Sequence, residues 1–326
     1  MTDSDVANSL LYHVDGELVP ADEATVSVDD RGFRYGDAAF ETVRAYGGSI
    51  FEWDAHADRL ARTCETLGIA HGFDRDGLRA RIDETLAANE LADAYVRLSI
   101  TRGVQPGTVT PQRPVDPTVV IWVKPLPRGG VDGQPVWDEP AAVRTVETRR
   151  IPDDALPSAA KTHNYANGIL ARLELRGTDA DEALMLDGRG RVTEGATSNV
   201  FLVADGELVT PSTDGPVLPG ITRRVVLDLA AELEIPTATR TVDPQAVATA
   251  DEVFLTNSTW ELRPVCRFDG GGVGQERGGR NERSALDDAA GSPPAGWTDA
   301  VEEPGRWPLT ARLQRAFDEH VDERCY

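Results

Sequence analysis

Residues 156–175 read LPSAAKTHNYANGILARLEL and place Lys161 among small residues just before a predicted helix. That helix is predicted from four apolar residues in phase: Ala166, Ile169, Leu170 and Leu173. Only one other lysine occurs in the chain, Lys124, and arginine supplies nearly all of the positive charge. An amine shielded from water is a nucleophile that can form a covalent bond with an aldehyde. The stretch therefore makes Lys161 a candidate reactive lysine, although an ordinary exposed lysine at a helix entrance is the stronger interpretation of this stretch taken alone.

A carboxylate at the end of a predicted strand is the second candidate. Residues 190–203 read GRVTEGATSNVFLV, in which Glu194 follows a strand and precedes a run of small and polar residues. A carboxylate in such a position can face a ring nitrogen and hold its proton. An acid in an exposed turn of an acidic protein explains the same residue without any function.

Anion-binding groups recur in two further stretches. Residues 218–224, LPGITRR, place Gly220, Ile221 and Thr222 in the first turn of a predicted helix, where free N–H groups attract phosphate. Residues 254–262, FLTNSTWEL, offer hydroxyl groups after an apolar strand, those of Thr256, Ser258 and Thr259. Two arginines are candidate anion clamps, Arg59 and Arg97. An ordinary helix start, turn capping and solvated arginines remain the alternatives.

The composition limits the kind of partner. The 326 residues carry 33 basic and 55 acidic side chains, and 33 − 55 gives a net charge of −22. This balance argues against nucleic acid as the main partner, because phosphate binding needs basic patches. A halophilic source is a hypothesis, and it would be rejected if salt concentration had no effect on folding. No apolar run is long enough to span a membrane, and no signal peptide is evident. The three cysteines and five histidines show no disulfide or metal spacing. We expect a cytoplasmic protein without a metal.

The order of elements predicts two α+β domains. Residues 1–126 form the smaller one, with a hairpin at Asp15-Gly16 and a helix that begins after Asp54 and ends at Gly68. Residues 127–140 are rich in glycine and proline and are predicted to be a linker, with a surface loop as the alternative. Residues 141–326 form the larger domain, in which 269–306 is predicted to be a disordered insertion.

Seven blocks, taken together, resemble the fold type IV pyridoxal-phosphate enzymes. In chain order they are DRGFRYGDAAFETVR, HADRL, YVRLSITRG, KTHNYANGILA, TEGATSNVFLV, LPGITRR and ADEVFLTNSTWEL. That family contains branched-chain aminotransferases, D-amino-acid aminotransferases and 4-amino-4-deoxychorismate lyase. The resemblance implies a two-domain, D-amino-acid-aminotransferase-like fold of the α+β class. It also implies pyridoxal 5'-phosphate between the domains and a homodimer whose partner completes the site.

The resemblance assigns a role to each candidate. Lys161 binds the cofactor covalently and then acts as acid and base, Glu194 pairs with the ring nitrogen, and Tyr165 contacts the phenolic oxygen. The phosphate is held by Arg59, Ile221, Thr222 and Ser258. The substrate side is lined by Tyr35, Phe40, Thr42 and Arg97.

The reaction is chosen on peripheral residues. Thr42 stands where branched-chain aminotransferases usually have glycine, and the TNS segment at 256–258 resembles many aminodeoxychorismate lyases. We therefore expect a lyase that releases pyruvate and forms 4-aminobenzoate. Thr42 is a candidate proton donor to the leaving group, although a strand threonine that only packs in the sheet is the stronger interpretation of this residue. A class IV aminotransferase acting on branched-chain or other amino acids is the alternative, because Tyr165 after Asn164 follows the aminotransferase style. A non-catalytic acidic interaction protein ranks last, since both Lys161 and Glu194 are present.

Overall fold

A computed structural model describes residues 10–128, 136–137, 139–269, 271–272 and 307–326. Outside that description lie residues 129–135 and 138 of the predicted linker and residues 270 and 273–306 of the predicted insertion. The described chain forms two β-sheets with helices packed against them. The fold is therefore mixed α and β.

The first sheet has six antiparallel strands in the order β2-β1-β6-β5-β3-β4. They are β1 Leu11–Val14, β2 Glu17–Pro20, β3 Ala38–Tyr46, β4 Ser49–Ile50, β5 Ala94–Thr101 and β6 Val119–Pro125. The hairpin predicted at Asp15-Gly16 is confirmed as the β1–β2 turn.

The two faces of this sheet have different environments because side chains alternate along a strand. One face packs against helices, so that Val43 and Leu98 share a core with Leu60. The other face includes Thr42, which pairs with Arg97 across β3 and β5. This second face forms one wall of the site described below.

The second sheet has nine strands, eight of them in the order β12-β11-β10-β13-β14-β7-β8-β9, with β15 paired to β14. They are β7 Ala141–Thr145, β8 Glu182–Leu186, β9 Val192–Gly195, β10 Asn199–Ala204, β11 Glu207–Pro211, β12 Thr237–Arg240, β13 Glu252–Asn257, β14 Glu261–Phe268 and β15 Gly271–Gly272. Three pairs are parallel, β11 with β12, β14 with β7 and β7 with β8. Strands β13 and β14 form a hairpin, because residues 258–260 make a turn between them.

Seven helices cover the sheets in the described part of the chain. They are α1 Arg31–Tyr35, α2 Trp53–Leu67, α3 Arg75–Ala88, α4 Ala166–Leu173, α5 Ile221–Glu232, α6 Pro244–Ala248 and α7 Pro308–Cys325. Helices α5 and α7 pack on the second sheet, where Phe201 and Phe254 stack at 4.9 Å. Within the described ranges, no helix combines the length and apolar character needed to cross a membrane.

The predicted ends of α2 are half confirmed. Gly68 ends the helix in the left-handed conformation, with φ 65°, as predicted. The prediction of Asp54 as the N-terminal cap is wrong, because the backbone is already helical at Trp53 and Glu52 occupies the cap position. Asp54 lies in the first turn, and its carboxylate accepts a hydrogen bond from Arg75 at 2.8 Å.

The apolar stripe predicted on α4 faces outward. Ile169 and Leu170 are 56% and 55% exposed, whereas Ala171 on the other side of the helix is buried. Ala171 packs against Met185 in a small core, and this contact sets the rotation of the helix. The periodicity identified a helix correctly but not the face that the chain itself buries.

Candidate active site

A cavity of about 390 Å³ opens between the two sheets and collects most of the predicted site residues. Ten of the eleven line it: Phe40, Thr42, Arg59, Arg97, Lys161, Tyr165, Glu194, Ile221, Thr222 and Ser258. They come from both sheets and from two helices, so the chain brings them together only when folded.

Lys161 is held in place by its own backbone. Its carbonyl accepts a hydrogen bond from Phe40 N at 3.0 Å, and His163 N donates to Ala38 O at 3.0 Å. The segment thus pairs with the start of β3 like a short extra strand. The side chain reaches into the cavity, where Nζ donates to the Tyr165 hydroxyl at 3.4 Å and lies 4.5 Å from the centre of the Phe40 ring.

Three donors surround the carboxylate of Glu194, which lies near the end of β9. Arg150 Nε donates to Oε1 at 2.7 Å, and the backbone N–H of Leu218 donates to Oε2 at 2.9 Å. The Asn199 side-chain amide adds a longer contact to Oε2 at 3.4 Å. The carboxylate is buried and lines the cavity, so its orientation is set before any ligand arrives.

The N-terminus of α5 forms another wall of the cavity. Gly220 precedes the helix, and a Cβ at this position would lie 1.9 Å from the Asn199 side-chain oxygen. Only glycine therefore lets the first turn, with Ile221 and Thr222, approach so closely. Nearby, the buried Oγ1 of Thr256 has no hydrogen-bond partner among the described residues. Unpaired amides of a first helical turn and an unpaired hydroxyl together suit an anion.

The opposite wall is formed by the first sheet. The guanidinium of Arg97 stacks on the Phe40 ring at 3.8 Å, and no salt bridge to Arg97 is seen within the described ranges. The Thr42 hydroxyl lies 3.5 Å from that of Tyr95 at the same wall. This side therefore offers a guanidinium and two hydroxyl groups to a ligand.

Tyr35 does not line the cavity. It ends α1, and its ring lies beside the guanidinium groups of Arg31 at 4.9 Å and Arg34 at 5.6 Å. Gly36 adopts the left-handed conformation directly after it, so the chain turns away before β3 begins. The short helix therefore keeps this ring apart from the other ten residues.

Several residues that touch the site residues were not predicted from the sequence. Arg150 and Asn199 contact Glu194, while Glu41 contacts Arg59 and is itself contacted by His56. Only Glu41 had a visible signal, an acidic residue in the middle of the otherwise apolar strand AAFETV. A charge in a buried strand must be paired, but the sequence does not say with which residue.

His163 makes stability depend on pH near the site. Burial, with a smaller contribution from Arg97, lowers the pKa of His163 to about 4. Its ordinary value is about 6.5, so the unfolded chain takes up the proton first as the pH falls. The free energy of unfolding does not depend on the protonation of His163 above about pH 6.5. Between about pH 6.5 and pH 4 it falls by about 2–3 kcal/mol, because the unfolded chain binds the proton and the folded chain does not. Urea unfolding at several pH values should show this slope, and His163→Gln should make it shallower; an equal slope in both proteins would contradict the assignment.

Metal binding finds no support in the described ranges. No group of three or more His, Cys, Asp and Glu side chains is arranged there to hold an ion. The charged groups that line the cavity include one lysine, three arginines and one glutamate, namely Lys161, Arg59, Arg97, Arg150 and Glu194. This donor set suits an organic anion.

A family model described as amino-transferase class IV matches residues 38–268. The chain belongs to the class IV aminotransferase family. The matched residues run from β3 to β14 and include every cavity residue named above. The resemblance seen in the seven sequence blocks is therefore confirmed.

Relatives with different names cover most of the chain. A putative branched-chain-amino-acid aminotransferase of Methanocaldococcus jannaschii is 38% identical over 79% of this chain and 88% of its own length. A D-alanine aminotransferase of Listeria innocua is 32% identical over 96% of both chains.

Solved structures confirm the class IV fold. A branched-chain amino acid aminotransferase of T.th. solved with pyridoxamine 5'-phosphate has a TM-score of 0.81 at 27% identity and covers 97% of this chain and 95% of its own. A 4-amino-4-deoxychorismate lyase of Pseudomonas aeruginosa has a TM-score of 0.74 at 29% identity and covers 97% and 100%. The architecture is thus shared by a transferase and a lyase.

The cofactor of this family fits the donors of the cavity. Class IV aminotransferases use pyridoxal 5'-phosphate, so the chain is a pyridoxal-phosphate-dependent enzyme, as the sequence predicted. The unpaired Oγ1 of Thr256 and the first-turn amides of α5 match a phosphate. A lysine amine for the aldehyde and a carboxylate for the ring nitrogen line the same cavity.

Proposed function

We propose that the chain is an aminotransferase that moves an amino group between an amino acid with an apolar side chain and a 2-oxo acid. One observation carries the proposal: the Phe40 ring has Lys161 Nζ at 4.5 Å and the Arg97 guanidinium at 3.8 Å. An amine and a guanidinium therefore both lie against one aromatic ring. A substrate with both an amino group and a carboxylate fits these two groups.

The cofactor supplies an aldehyde that accepts the amino group and a ring that stabilises negative charge. Lys161 is the residue that binds it covalently, and Glu194 is the residue that faces its ring nitrogen. Tyr165 is assigned to its phenolic oxygen. The phosphate is assigned to Arg59, Ile221, Thr222 and Ser258. These assignments are supported by the shared cavity and by the donor chemistry.

Lys161 also moves the proton in this proposal. When it is not bonded to the cofactor, its amine would act as base and then as acid: it would take the proton from the amine-bearing carbon of the substrate and later give a proton back. The Tyr165 hydroxyl, 3.4 Å from Nζ, keeps the amine directed into the cavity. Phe40 restricts the position of the amine through its ring.

Arg97 and Thr42 are proposed to face the substrate. Arg97 has the geometry to bind a carboxylate because its guanidinium is fixed on Phe40 and has no salt bridge within the described residues. Thr42, with Tyr95 at 3.5 Å, limits the space beside it. The apolar side chain is proposed to lie against Phe40.

A lyase that forms 4-aminobenzoate and pyruvate is the second candidate. It is favoured by the Thr42 hydroxyl, which lines the cavity and could donate a proton to a leaving group. The sequence relatives favour amino transfer instead, because the relatives of Methanocaldococcus jannaschii and Listeria innocua are both named as aminotransferases. We therefore rank the aminotransferase first, in contrast to the preference drawn from the sequence.

Two assays on the same preparation separate these candidates. The first offers L-leucine, L-glutamate or D-alanine with a 2-oxo acid and follows amino transfer. The second offers chorismate, glutamine and an aminodeoxychorismate synthase and follows 4-aminobenzoate and pyruvate. We expect transfer from at least one amino acid and no aminobenzoate. Aminobenzoate formed without any transfer would replace our proposal with the lyase.

We also propose that the chain forms a homodimer. Large apolar side chains are exposed on loops and the short helix beside the first sheet, notably Val28 at 71%, Phe33 at 73% and Val109 at 79%. The loop with Val109 is held firmly, because Arg31 donates to Thr108 O at 2.7 Å and Val109 O at 2.8 Å. An ordered loop with an apolar tip is suited to contact a second copy.

Sedimentation tests the dimer. The wild-type chain should sediment as a dimer at micromolar concentration, and Val109→Asp should shift it towards the monomer by placing a charge in the contact. Glu90→Asp on an exposed turn is the control. A wild-type monomer, or a dimer unaffected by Val109→Asp, would contradict the proposed surface.

A further inference from the structure

A completely buried carboxylate lies behind the cavity. Glu41 on β3 is 0% exposed and faces α2, which carries both His56 and Arg59. Arg59 Nε donates to Oε1 at 2.7 Å and Arg59 Nη2 donates to Oε2 at 2.7 Å, which makes a two-bond fork. His56 Nδ1 lies 2.8 Å from Oε2. Both carboxylate oxygens are therefore used inside the protein.

The fork fixes the plane of the Arg59 guanidinium. A third N–H, on Nη1, donates to Pro219 O at 3.0 Å, one residue before Gly220 and the start of α5. Of the roughly five N–H groups of a guanidinium, roughly two on Arg59 therefore have no partner in these contacts. Because Arg59 lines the cavity, the remaining groups are available to a ligand beside the first turn of α5.

The charges of Glu41, His56 and Arg59 nearly cancel, so this group orients hydrogen-bond donors more than it attracts an anion. Burial by itself would raise the pKa of Glu41, but the charge and hydrogen bonds of Arg59, with His56, lower it to about 2. Burial also lowers the pKa of His56, which is therefore a neutral imidazole that donates from Nδ1. The negative charge of Glu41 cancels the positive charge of Arg59. What remains for a phosphate is a pair of oriented donors.

We propose that Glu41 is a positioning residue which, together with His56, orients Arg59 towards the cofactor phosphate. The inference rests on the proposed function, in which Arg59 binds that phosphate. It adds that affinity for the phosphate depends on a residue that never touches the ligand. Such preorganisation avoids ordering a long side chain at the moment of binding.

The sign of the effect separates positioning from simple charge. If Glu41 only reduced the positive charge of the site, its removal would strengthen binding of a dianion. If Glu41 orients Arg59, its removal weakens binding, because the guanidinium loses one bond of the fork. Glu41→Gln keeps the size of the side chain and removes only the charge and one acceptor, so it compares the two effects directly.

The test measures affinity and not turnover. Full-length chain freed of cofactor is titrated with pyridoxal 5'-phosphate and with pyridoxal, which lacks the phosphate. For Glu41→Gln we expect the Kd of pyridoxal 5'-phosphate to rise at least about tenfold and that of pyridoxal to stay constant. Glu252→Gln is the matched control: Glu252 is also buried, but it accepts from Leu309 N and Thr310 N on α7. Glu252→Gln should leave the ratio of the Kd of pyridoxal 5'-phosphate to the Kd of pyridoxal unchanged.

A second arm separates this inference from the proposed function. Arg59→Ala should raise the Kd of pyridoxal 5'-phosphate relative to the Kd of pyridoxal; an unchanged ratio of the two would refute the role of Arg59 itself. If this ratio rises in Arg59→Ala but stays at or below the wild-type value in Glu41→Gln, only the positioning role of Glu41 is refuted. Should Glu41→Gln not fold, His56→Leu removes one contact to Oε2, and we expect a rise of about threefold. No rise in that variant would equally overturn the proposal.

Discussion

Lys161→Ala is expected to lose the covalent bond with pyridoxal 5'-phosphate and to lower kcat by at least about 10³-fold. The amine is both the attachment point and the group that moves the proton, so one substitution removes two functions. Arginine could not replace it, because a guanidinium stays protonated and delocalised. Borohydride reduction followed by peptide mass analysis should find the cofactor on residue 161 of the wild type only.

Lys124→Ala is the natural control for this experiment, since the chain has only these two lysines. Lys124 is exposed on β6, and its Nζ lies 5.2 Å from the Tyr95 ring. The variant should retain the cofactor on residue 161. Cofactor recovered on residue 124 of the wild type would refute the assignment of the reactive lysine, and with it the proposed mechanism.

Glu194→Gln is expected to bind the cofactor but to lower kcat by about 10²-fold. A neutral amide does not hold a proton on the ring nitrogen as a carboxylate does. The amide also introduces a donor that opposes either Arg150 Nε or the Leu218 N–H, both of which now donate to Glu194. At one of the two contacts, two hydrogen-bond donors would therefore face each other without an acceptor.

The measurement for this variant separates occupancy from turnover. Cofactor occupancy is read from the visible absorbance of the purified protein, and kcat from the transfer assay at saturating substrate. Occupancy near the wild-type level with reduced kcat is the expected pair of results. Full kcat in Glu194→Gln would show that Glu194 has no part in the ring chemistry.

Local sequence patterns predicted much of the fold. The hairpin at Asp15-Gly16 was recognisable because two residues with positive φ make a tight turn. Helix α3 was not predicted, although its apolar residues Leu78, Ile82 and Leu86 recur every four positions, as on one face of a helix. Local signals were sufficient for a tight turn and for a glycine that ends a helix, but they did not fix where α2 begins or which face of α4 is buried.

The residues of the site divide in the same way. Ten cavity residues were predicted, among them those whose groups the chemistry itself demands: an amine, a carboxylate, cations and free amides. Their partners were hidden, because Arg150 and Glu194 are 44 positions apart and Glu41 and Arg59 are 18 apart. Nothing in one short segment indicates which distant segment will neutralise its charge.

The sequence by itself determined the family and the cofactor through the resemblance of seven blocks taken together. It also offered the candidate reactive lysine, because covalent chemistry accepts few residue types. Only the tertiary structure decided which face of α4 is buried, that Tyr35 lies apart from the cavity, and that Glu41 stands behind Arg59. The physical reason is that burial and ion pairing depend on neighbours in space. Residue types specify what a site can do, and packing specifies how firmly each group is held.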